Sequence, residues 1–565
     1  MAISLAPTLI SRLVSGVKFN LAKKAIKPAL LIGLLLLAGY LRIAGLTWGL
    51  ESGYGHYRNF QPDEFVSLRG VLEVDLLRGH LKAPSAYFEG TFNYYLWAVP
   101  QAALKLFGKT EQSSAASTDG ESHADLLYSC RWMSVLVDLG TVLIVFLAIR
   151  EATRNFYPGL LGAFVYAVLP MQVIYAHFMR THLLSNLLCA LVIWLSLKFR
   201  KRQEWWMSLT VGFMSGLAAA TRIPNGIIVI IPCLYFLFDG CDHSPSEKKR
   251  LRRRITHSFS GPIWLIGLGS AFGLFLGYPM LFLDLPSVIN AVKSGVLPYA
   301  TLGEFKASNL LNLWVVWRYA SFLIPFAMYP LLWLLPYFAI LYLCFRRSLY
   351  HQSLPILIFS GLYLYFMAKG YVGPYFARAT MLLFPGFCIL VSMAFNDLWL
   401  LLKKHRAGAI SLITTPLLLA LPSIAFDAAY VKAMPQRDSR SALREDLPKL
   451  IGTRSVTVGV FSGLGGYFYT VMPAVDPLKS DKVVVQLQDI GQAADFFLVG
   501  FGEPIDSGLL DFVVKKVEAQ GNFRYEKTYS VHPKILGREL RLARFPSDMT
   551  YPFPTILLFR SKTGI

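Results

Sequence analysis

Residues 28–50 read PALLIGLLLLAGYLRIAGLTWGL, and this stretch decides the class of fold. It is almost wholly apolar, and a helix needs about 20 such residues to cross a bilayer. Lys23, Lys24 and Lys27 precede it, and basic residues favour the cytoplasmic side of a membrane span. The sequence therefore predicts a first transmembrane helix that starts in the cytoplasm and delivers the following loop to the other side.

The composition of the whole chain is typical of a polytopic membrane protein. Of its 565 residues 55% are hydrophobic and the mean hydropathy is +0.47, which is too apolar for a soluble enzyme. The formal net charge is +21, but much of the basic charge lies in short clusters between apolar stretches, so we expect no nucleic acid as a partner. The N-terminus lacks a short apolar core with a cleavage site, so we expect the first span to remain as an anchor.

The basic clusters predict the topology, because each is expected in the cytoplasm. Spans then fall near 27–48, 126–149, 156–176, 181–199, 207–221, 224–238, 259–282, 316–345, 352–371, 376–398 and 407–427, about eleven in all. The count requires that the apolar segment 91–107 lies on the outer membrane surface, within a long first outer loop of about 49–125. The segments 207–221 and 224–238 form either two short spans or one kinked helix.

The carboxyl end changes character after about Asp427, where the chain becomes more polar and no segment is long and apolar enough to span. Apolar alternation or runs predict strands at 455–461, 495–500 and 555–559, and a helix is expected at 509–520. The predicted fold is thus mainly α. A polytopic helix bundle over residues 1–428 is followed by a small extracytoplasmic α/β domain over residues 429–565.

Two adjacent carboxylates, Asp63 and Glu64, follow the first span in the sequence QPDEF. A carboxylate at the membrane surface can take a proton from an acceptor hydroxyl beside a lipid-borne substrate. Alternatively, the pair caps an amphipathic helix over about 65–79, with Pro62 ahead of it. The predicted topology gathers further ionisable residues on the same outer side: Glu89, Arg180, His182, Arg222, Asp284, Lys369 and Arg378. That arrangement favours a site that combines a general base with cations for an anionic lipid phosphate.

The order of these motifs resembles the GT-C superfamily of integral membrane glycosyltransferases, above all the branch of the protein O-mannosyltransferases and the lipid A aminoarabinose transferases. The likeness covers roughly residues 27–400. It rests on Asp63-Glu64, YFEGTFNYYLW at 87–97, RWMS at 131–134, RTH at 180–182, ATRIP at 220–224 and RATMLLFP at 378–385. Two positions depart from the family pattern. Gly90 stands where a basic residue is usual, and His182 stands where an acid often follows the arginine.

The resemblance implies an enzyme that transfers a sugar, with inversion, from a polyprenyl-phosphate-linked donor to a hydroxyl acceptor outside the cytoplasm. It implies Asp63 as the general base, with Glu64 or Glu89 orienting the acceptor or the base. The leaving lipid phosphate needs cations rather than an acid. The candidates for that role are Arg180, Arg222 and Arg378, with Arg69, Lys82 and Lys369 in reserve.

Simpler roles stay open for several of these side chains. Each arginine can anchor a helix end among lipid headgroups, and His182 can be a hydrogen-bonded helix-end residue or a metal ligand. Tyr94 and Tyr95 can stack on a sugar ring or belong to an interfacial aromatic belt. No outer His, Cys or acid group has metal-ligand spacing, so no metal site and no certain cofactor is predicted, and dependence on a divalent metal is left open.

The main alternative is a polytopic transporter or flippase of a lipid-linked or small solute. Such a protein predicts broken helices near the bilayer midplane and paired halves, and the sequence shows no internal repeat. Besides the donor, membrane lipids are the expected partners. The chain has no Asn-x-Ser/Thr sequon and no cysteine in the first outer loop or the C-terminal domain. The missing sequon favours a bacterial inner membrane over the endoplasmic reticulum, and the predicted topology places the site and the C-terminal domain toward the periplasm or cell exterior.

Overall fold

The computed structural model describes residues 26–50, 61–108, 123–199, 204–238, 261–301, 313–367, 376–436, 438–461, 468–475, 478–502 and 504–562. The helices of the first half are α1 (Ile26–Ile43), α2 (Pro62–Glu73), α3 (Phe92–Leu106), α4 (His123–Thr153), α5 (Phe156–Ala167), α6 (Pro170–Ala176), α7 (His182–Phe199), α8 (Trp205–Thr221) and α9 (Ile230–Phe238). The later helices are α10 (Pro262–Gly277), α11 (Met280–Leu283), α12 (Leu285–Thr301), α13 (Leu313–Arg318), α14 (Ile324–Ala327), α15 (Leu334–Phe345), α16 (Tyr350–Phe366), α17 (Phe384–Leu402), α18 (Arg406–Ala433), α19 (Ser439–Ile451), α20 (Phe468–Val475) and α21 (Ser507–Gln520). The fold is therefore mainly helical, as predicted.

Within the described residues, five helices are long and apolar enough to cross a membrane, and six if the bent pair α5 and α6 is one span. The pair bends by 61° at Pro170, since a residue before proline is disfavoured in the α conformation. Shorter apolar helices occupy 223–237, 262–277 and 334–345. The count of about eleven spans stays a prediction. The expected span 316–345 is divided, because α14 ends at Ala327 and α15 begins only at Leu334.

Helices α8 and α10 pack with their backbones in close contact. A Cβ atom added at Gly212 would lie 2.1 Å from the carbonyl oxygen of Ile266, and one added at Gly273 would lie 2.2 Å from that of Phe213. Small residues allow such an approach, which stabilises helix pairs in apolar surroundings. Because of this packing, the ends of α8 and α10 lie together beneath the start of α3.

The helix that carries the two acids is shorter than expected. It ends at Glu73 rather than near Gly79, because the Asp75 side chain accepts hydrogen bonds from the amides of Leu77 (3.1 Å) and Arg78 (3.3 Å). Those bonds start a separate 3₁₀ turn over Leu76–Arg78, which ends at Gly79 in the left-handed conformation.

The carboxyl end forms an α/β unit over residues 439–562, here called the C-terminal unit. Its strands are β1 (Val456–Phe461), β2 (Val483–Gln488), β3 (Phe496–Phe501), β4 (Phe523–Tyr529), β5 (Lys534–Ile535), β6 (Arg538–Glu539) and β7 (Thr555–Ser561). The main sheet has the order β2-β1-β3-β7-β4. Strand β1 pairs in parallel with both β2 and β3, whereas β7 pairs antiparallel with both β3 and β4. Helices α19 and α20 cover one face and α21 covers the other, which is why the sequence of β3, FFLVGF, is apolar throughout.

One segment of this unit, residues 545–553 (FPSDMTYPF), leaves the sheet and packs into the helical bundle. We call it the docking segment. The ring of Phe545 lies 4.8 Å from that of Phe326 and 5.6 Å from that of Phe426, centroid to centroid. Phe545, Met549, Tyr551 and Phe553 all belong to the main apolar core of the bundle. The boundary between the helical module and the C-terminal domain, expected at 428/429, stays a prediction.

Candidate active site

The first turn of α2 places Asp63 and Glu64 at the start of a helix. Pro62 occupies the first helical turn, and the side chain of Gln61 caps it, because its Oε1 atom accepts a hydrogen bond from the amide of Glu64 at 2.6 Å. Negative charge is favoured there by the unpaired amides and the dipole of the helix. The two neighbouring carboxylates point to different surroundings. The Asp63 side chain is 30% exposed and that of Glu64 is fully buried.

Glu64 forms a buried, bidentate ion pair with Arg131 of α4. The Nε–Oε1 and Nη2–Oε2 distances are 3.0 and 2.7 Å, and the amide of Met179 donates to Oε1 at 2.8 Å. Arg131 also donates to the carbonyl oxygens of Leu46 (2.9 Å) and Trp48 (2.6 Å). Both oxygens of Glu64 are thus bonded within the protein, and the pair joins α2 and α4 to the chain that follows α1.

Asp63 lies between two guanidinium groups that come from distant parts of the chain. Its Oδ2 atom is 3.4 Å from Nη2 of Arg378 and 3.7 Å from Nη2 of Arg180. Burial acts to raise the pKa of Asp63, but the charges of Arg180 and Arg378, with the Gln61 side chain, outweigh burial and hold the pKa below its usual value. The carboxylate is therefore ionised across the neutral range and is partly open to solvent.

Arg180 connects Asp63 to the start of the next surface element. Its Nη1 atom donates to the carbonyl oxygen of Asp63 and to Oγ of Ser67, both at 3.1 Å, and Nη2 donates to Oε1 of Glu89 at 2.9 Å. Burial acts to lower the pKa of Arg180, but Glu89 and Asp63 raise it above its usual value, so the side chain stays charged. The other oxygen of Glu89 accepts a hydrogen bond from the hydroxyl of Tyr94 at 3.0 Å.

The residue after Glu89 has no room for a side chain. Gly90 has a φ of +135°, and a Cβ atom there would lie 2.4 Å from the carbonyl oxygen of Ala220. Thr91 donates to the carbonyl oxygen of Gly277 at 2.8 Å, and Asn93 donates to that of Thr221 at 2.9 Å. The start of α3 is thus fixed against the ends of α8 and α10, and this contact explains why no basic residue stands at position 90.

The two candidate sugar-stacking tyrosines are bonded inside the protein. Tyr94 is fully buried beside Gly70, and burial, with Glu89 nearby, raises the pKa of its hydroxyl. The hydroxyl of Tyr95 donates to the carbonyl oxygen of Leu81 at 3.1 Å. The structure places both on α3 close to Glu89, and a contact with sugar stays a prediction.

His182 begins α7 and lies among the arginines. Its side chain is buried, and within the described residues neither ring nitrogen has a hydrogen-bond partner. The ring packs edge-on against Tyr175, with centroids 5.2 Å apart. The charges of Arg222, Arg180 and Arg378 all act on it. We call these three residues the arginine cluster. Buried polar atoms normally have partners, so the two unpartnered ring nitrogens of His182 are unusual in a part of the site where three cations act.

Arg222 directly follows the last residue of α8 and is half-buried. Among the residues that the structure describes, no carboxylate lies within ion-pair distance of it. Next to it, Asn225 donates to Oγ of Ser185 (2.8 Å) and to Oγ1 of Thr221 (3.0 Å), which links the ends of α7 and α8. Beyond Arg222 the chain continues as a 3₁₀ helix over Ile223–Val229 and then as α9.

Arg378 is fixed at both its backbone and its side chain. Its amide donates to Oδ2 of Asp548 at 2.8 Å, and its Nη1 atom donates to the hydroxyls of Tyr551 (3.1 Å) and Tyr175 (3.4 Å). The guanidinium also lies over the ring of Phe376, 3.9 Å from its centroid. Two of these partners, Asp548 and Tyr551, belong to the docking segment.

Three of the remaining sequence candidates, Arg69, Lys82 and Asp284, form no contact with Asp63 among the described residues. Arg69 is 64% exposed and pairs with Glu73 on its own helix at 3.6 Å, and Lys82 is exposed. Asp284 accepts a hydrogen bond from the amide of Ser287 at the start of α12. Lys369 lies outside the described residues. Within those residues, no group of three or more His, Cys, Asp or Glu side chains is arranged to hold a metal ion.

Sequence reasoning missed four residues that shape the site: Arg131, Ser67, Asp548 and Tyr551. In the sequence Arg131 stands out only as part of the RWMS motif, and its role as the partner of Glu64 depends on the packing of α2 against α4. A signal for Asp548 is present in hindsight, because a single carboxylate among the aromatic residues of 545–553 suggests a buried acceptor.

With this geometry established, comparisons with known proteins place the fold. Residues 124–269 match the family described as dolichyl-phosphate-mannose-protein mannosyltransferase, and no curated protein sequence matches the chain. The oligosaccharyltransferase AglB from Archaeoglobus fulgidus, in complex with an inhibitory peptide and a dolichol-phosphate, aligns with a TM-score of 0.50 at 14% identity over 89% of this chain and 69% of AglB. ArnT from Cupriavidus metallidurans, bound to undecaprenyl phosphate, aligns with a TM-score of 0.47 at 12% identity over 94% of this chain and 97% of ArnT.

The family match and the likeness to AglB give this chain the fold of the GT-C superfamily of membrane glycosyltransferases. The resemblance inferred from the order of the sequence motifs is therefore confirmed at the level of the superfamily.

Proposed function

We propose that the protein transfers a sugar from a polyprenyl-phosphate-linked donor to a hydroxyl acceptor, with inversion at the anomeric carbon. The single observation that carries this proposal is the contact of one partly exposed carboxylate, Asp63, with Arg180 and Arg378. A base beside paired cations suits a reaction in which a hydroxyl loses a proton while a phosphate leaves. The match to a mannosyltransferase family supports the class of reaction.

In this mechanism Asp63 accepts the proton of the acceptor hydroxyl. The hydroxyl oxygen forms a bond to the anomeric carbon while the bond from that carbon to the donor phosphate oxygen breaks. The products are the glycosylated acceptor and the polyprenyl phosphate, and the proton remains on Asp63 until it passes to solvent. A positioned base contributes about 10²–10⁴ in rate. Asp63 is suited to this role because its side chain is 30% exposed.

The arginine cluster and His182 hold the donor phosphate. Arg222 has no carboxylate partner among the described residues, and both nitrogens of His182 lack hydrogen bonds, so these groups are available to an anion. Negative charge on the phosphate grows as the glycosidic bond breaks, and preorganised cations stabilise it without reorganising. His182 stands where the family often has an acid, so no carboxylate at this position offsets the charge of the arginine cluster.

Donor binding also activates the base. The charges of Arg180 and Arg378 keep the pKa of Asp63 low, which makes the carboxylate a weak base. A phosphate bound by the same guanidinium groups neutralises part of their charge, so the pKa of Asp63 rises toward its usual value when the donor binds. Asp63 thus becomes a better base in the presence of the substrate that needs it.

Glu64 and Glu89 are positioning residues in this account. Glu64 has both oxygens bonded by Arg131 and Met179, and it fixes the first turn of α2. Glu89 is bonded by Arg180 and Tyr94 and holds Arg180 in place. We place the site and the C-terminal unit on the outer side of a bacterial inner membrane, because the basic clusters favour this orientation and the missing sequon favours a bacterial membrane.

The proposal is tested with the full-length protein in lipid nanodiscs. A panel of radiolabelled polyprenyl-phosphate sugars is supplied with membrane-extract acceptors, and label transfer is compared between wild type and Arg378→Gln. Arg454→Gln, an exposed arginine of the C-terminal unit, is the matched control. The expected result is transfer by wild type and the control, with transfer reduced about tenfold or more in Arg378→Gln. Absence of both transfer and polyprenyl phosphate binding in the wild type contradicts the proposal and favours a transporter.

A further inference from the structure

The backbone of Arg378 is capped by a residue from a distant part of the chain. The two carboxylate oxygens of Asp548 accept hydrogen bonds from the amides of Ala377 (3.1 Å) and Arg378 (2.8 Å). These amides open the 3₁₀ helix Ala377–Leu383, and the first amides of a helix have no partner within it. Asp548 therefore acts as the cap of this helix, although it lies in the C-terminal unit, and it is fully buried there.

The same segment fixes the other end of the arginine. The hydroxyl of Tyr551 accepts a hydrogen bond from Nη1 of Arg378 at 3.1 Å, while Nη2 faces Asp63 at 3.4 Å. With Tyr175 at 3.4 Å and the ring of Phe376 beneath, the guanidinium is oriented from several sides. Tyr551 is the one of these partners that comes from outside the helical bundle.

The docking segment is itself anchored on the bundle and on α19. The hydroxyl of Tyr430 donates to the carbonyl oxygen of Met549 at 2.8 Å, and Nη2 of Arg440 donates to that of Tyr551 at 3.1 Å. Oγ of Ser439 donates to the carbonyl oxygen of Pro554 at 2.8 Å. The position of Arg378 is thus linked to the seating of the C-terminal unit.

We propose that the docking segment sets the affinity for the donor phosphate, with Asp548 and Tyr551 as positioning residues for Arg378. This inference rests on the proposed function, because Arg378 is taken to bind the phosphate. Preorganised side chains bind more tightly, since their ordering is complete before the ligand arrives. The C-terminal unit therefore contributes two residues that position a side chain of the active site.

The test measures the Kd of a polyprenyl phosphate for full-length protein in nanodiscs. Tyr551→Phe removes one hydroxyl, Asp548→Ala removes the cap, and Asp548→Asn keeps one acceptor oxygen. Tyr525→Phe and Asp506→Ala are the controls, since Tyr525 lies on β4 and Asp506 caps α21. We expect about tenfold weaker binding for Tyr551→Phe and Asp548→Ala, a smaller loss for Asp548→Asn, and no change for the controls.

A double-mutant cycle separates positioning from simple loss of stability. In an Arg378→Gln background, Tyr551→Phe is expected to cause no further change in Kd, because the residue acts through Arg378. The proposal is overturned if Tyr551→Phe weakens binding equally in the wild-type and the Arg378→Gln backgrounds. It is also overturned if Arg378→Gln binds weakly while Tyr551→Phe and Asp548→Ala keep the wild-type Kd. If Asp548→Ala fails to fold, Tyr551→Phe and Asp548→Asn decide the question. A wild type that binds no polyprenyl phosphate contradicts the proposed function itself, and this inference with it.

Discussion

Oδ2 of Asp63 lies 3.4 Å from Nη2 of Arg378, so the carboxylate that follows the first span meets a cation from near the last part of the helical bundle. This contact brings together the two chemical components of the site. One half is a base that is partly open to solvent. The other half is a group of cations, of which Arg378 is held from both the bundle and the C-terminal unit.

The first prediction concerns pH. The charge of Arg378 helps to hold the pKa of Asp63 below its usual value, so activity is lost only when the pH falls through that lowered pKa. Arg378→Gln removes one cation while burial still acts to raise the pKa of Asp63, so the acid limb of the kcat/KM profile moves to higher pH. The variant also loses a contact with the donor phosphate, so the pH-independent value of kcat/KM falls about tenfold or more. The pH profiles of wild type, Arg378→Gln and the control Arg454→Gln are compared. An acid limb at the same pH in all three contradicts the electrostatic coupling.

The second prediction concerns the buried pair of Glu64 and Arg131. Removing one partner leaves an uncompensated buried charge, which costs about 3–5 kcal/mol in the free energy of unfolding. We expect Glu64→Gln and Arg131→Gln each to lower the thermal stability in detergent strongly, and the double variant to lose less than the sum of the two. If Glu64→Gln keeps wild-type stability but loses transfer at saturating substrate, Glu64 takes part in the chemistry and the positioning role is wrong.

The third prediction concerns Gly90. Gly90→Ala has two costs: the backbone φ of +135° is unfavourable for alanine, and the added Cβ atom would lie 2.4 Å from the carbonyl oxygen of Ala220. At Gly79, where φ is +68°, an added Cβ atom would have nothing within 4 Å, so Gly79→Ala introduces backbone strain alone. We expect Gly79→Ala to cost about 1 kcal/mol in the free energy of unfolding, and Gly90→Ala clearly more. Equal midpoints of thermal unfolding for the two variants would show that α3 does not depend on its contact with α8.

The fourth prediction concerns the phosphate half of the site. Arg222 has no carboxylate partner and the ring nitrogens of His182 have no hydrogen-bond partner among the described residues. We therefore expect Arg222→Gln and His182→Phe to fold and to bind the donor more weakly. A hydrogen bond to a charged group contributes about 1.5–3 kcal/mol, which corresponds to roughly 10–150-fold in Kd for Arg222→Gln. Binding of a polyprenyl phosphate is measured by titration. Unchanged affinity in both variants removes these two residues from the donor site.

The sequence predicts the helical part of the fold and many of the residues that meet at the candidate site, because both depend on local patterns. Apolar length marks the spans, and the polar residues at the helix ends 63, 180, 182, 222 and 378 stand out against apolar neighbours. What it does not predict depends on packing between distant segments. Neighbouring acids look equivalent in the sequence, yet Glu64 turns into the bundle toward Arg131 while Asp63 remains partly exposed.

The contacts of the docking segment are likewise not predictable from local sequence patterns. Residues 545–553 precede β7 and are separated from Ala377 and Arg378 by most of the C-terminal unit. Neither periodicity nor charge indicates that Asp548 caps a helix of the bundle, because capping is recognised in sequence only when the acceptor immediately precedes the helix. Such contacts follow from the way the sheet is seated on the bundle.

The most direct test of the central claim separates binding from chemistry in Asp63→Asn. The variant and the wild type are compared in nanodiscs for polyprenyl phosphate binding, thermal stability and sugar transfer in a single turnover, with Asp506→Asn as the control. If Asp63 is the base, Asp63→Asn folds and binds polyprenyl phosphate at least as tightly as wild type, but transfers sugar about 10²–10⁴ times more slowly. Transfer at the wild-type rate by a folded Asp63→Asn would contradict the account.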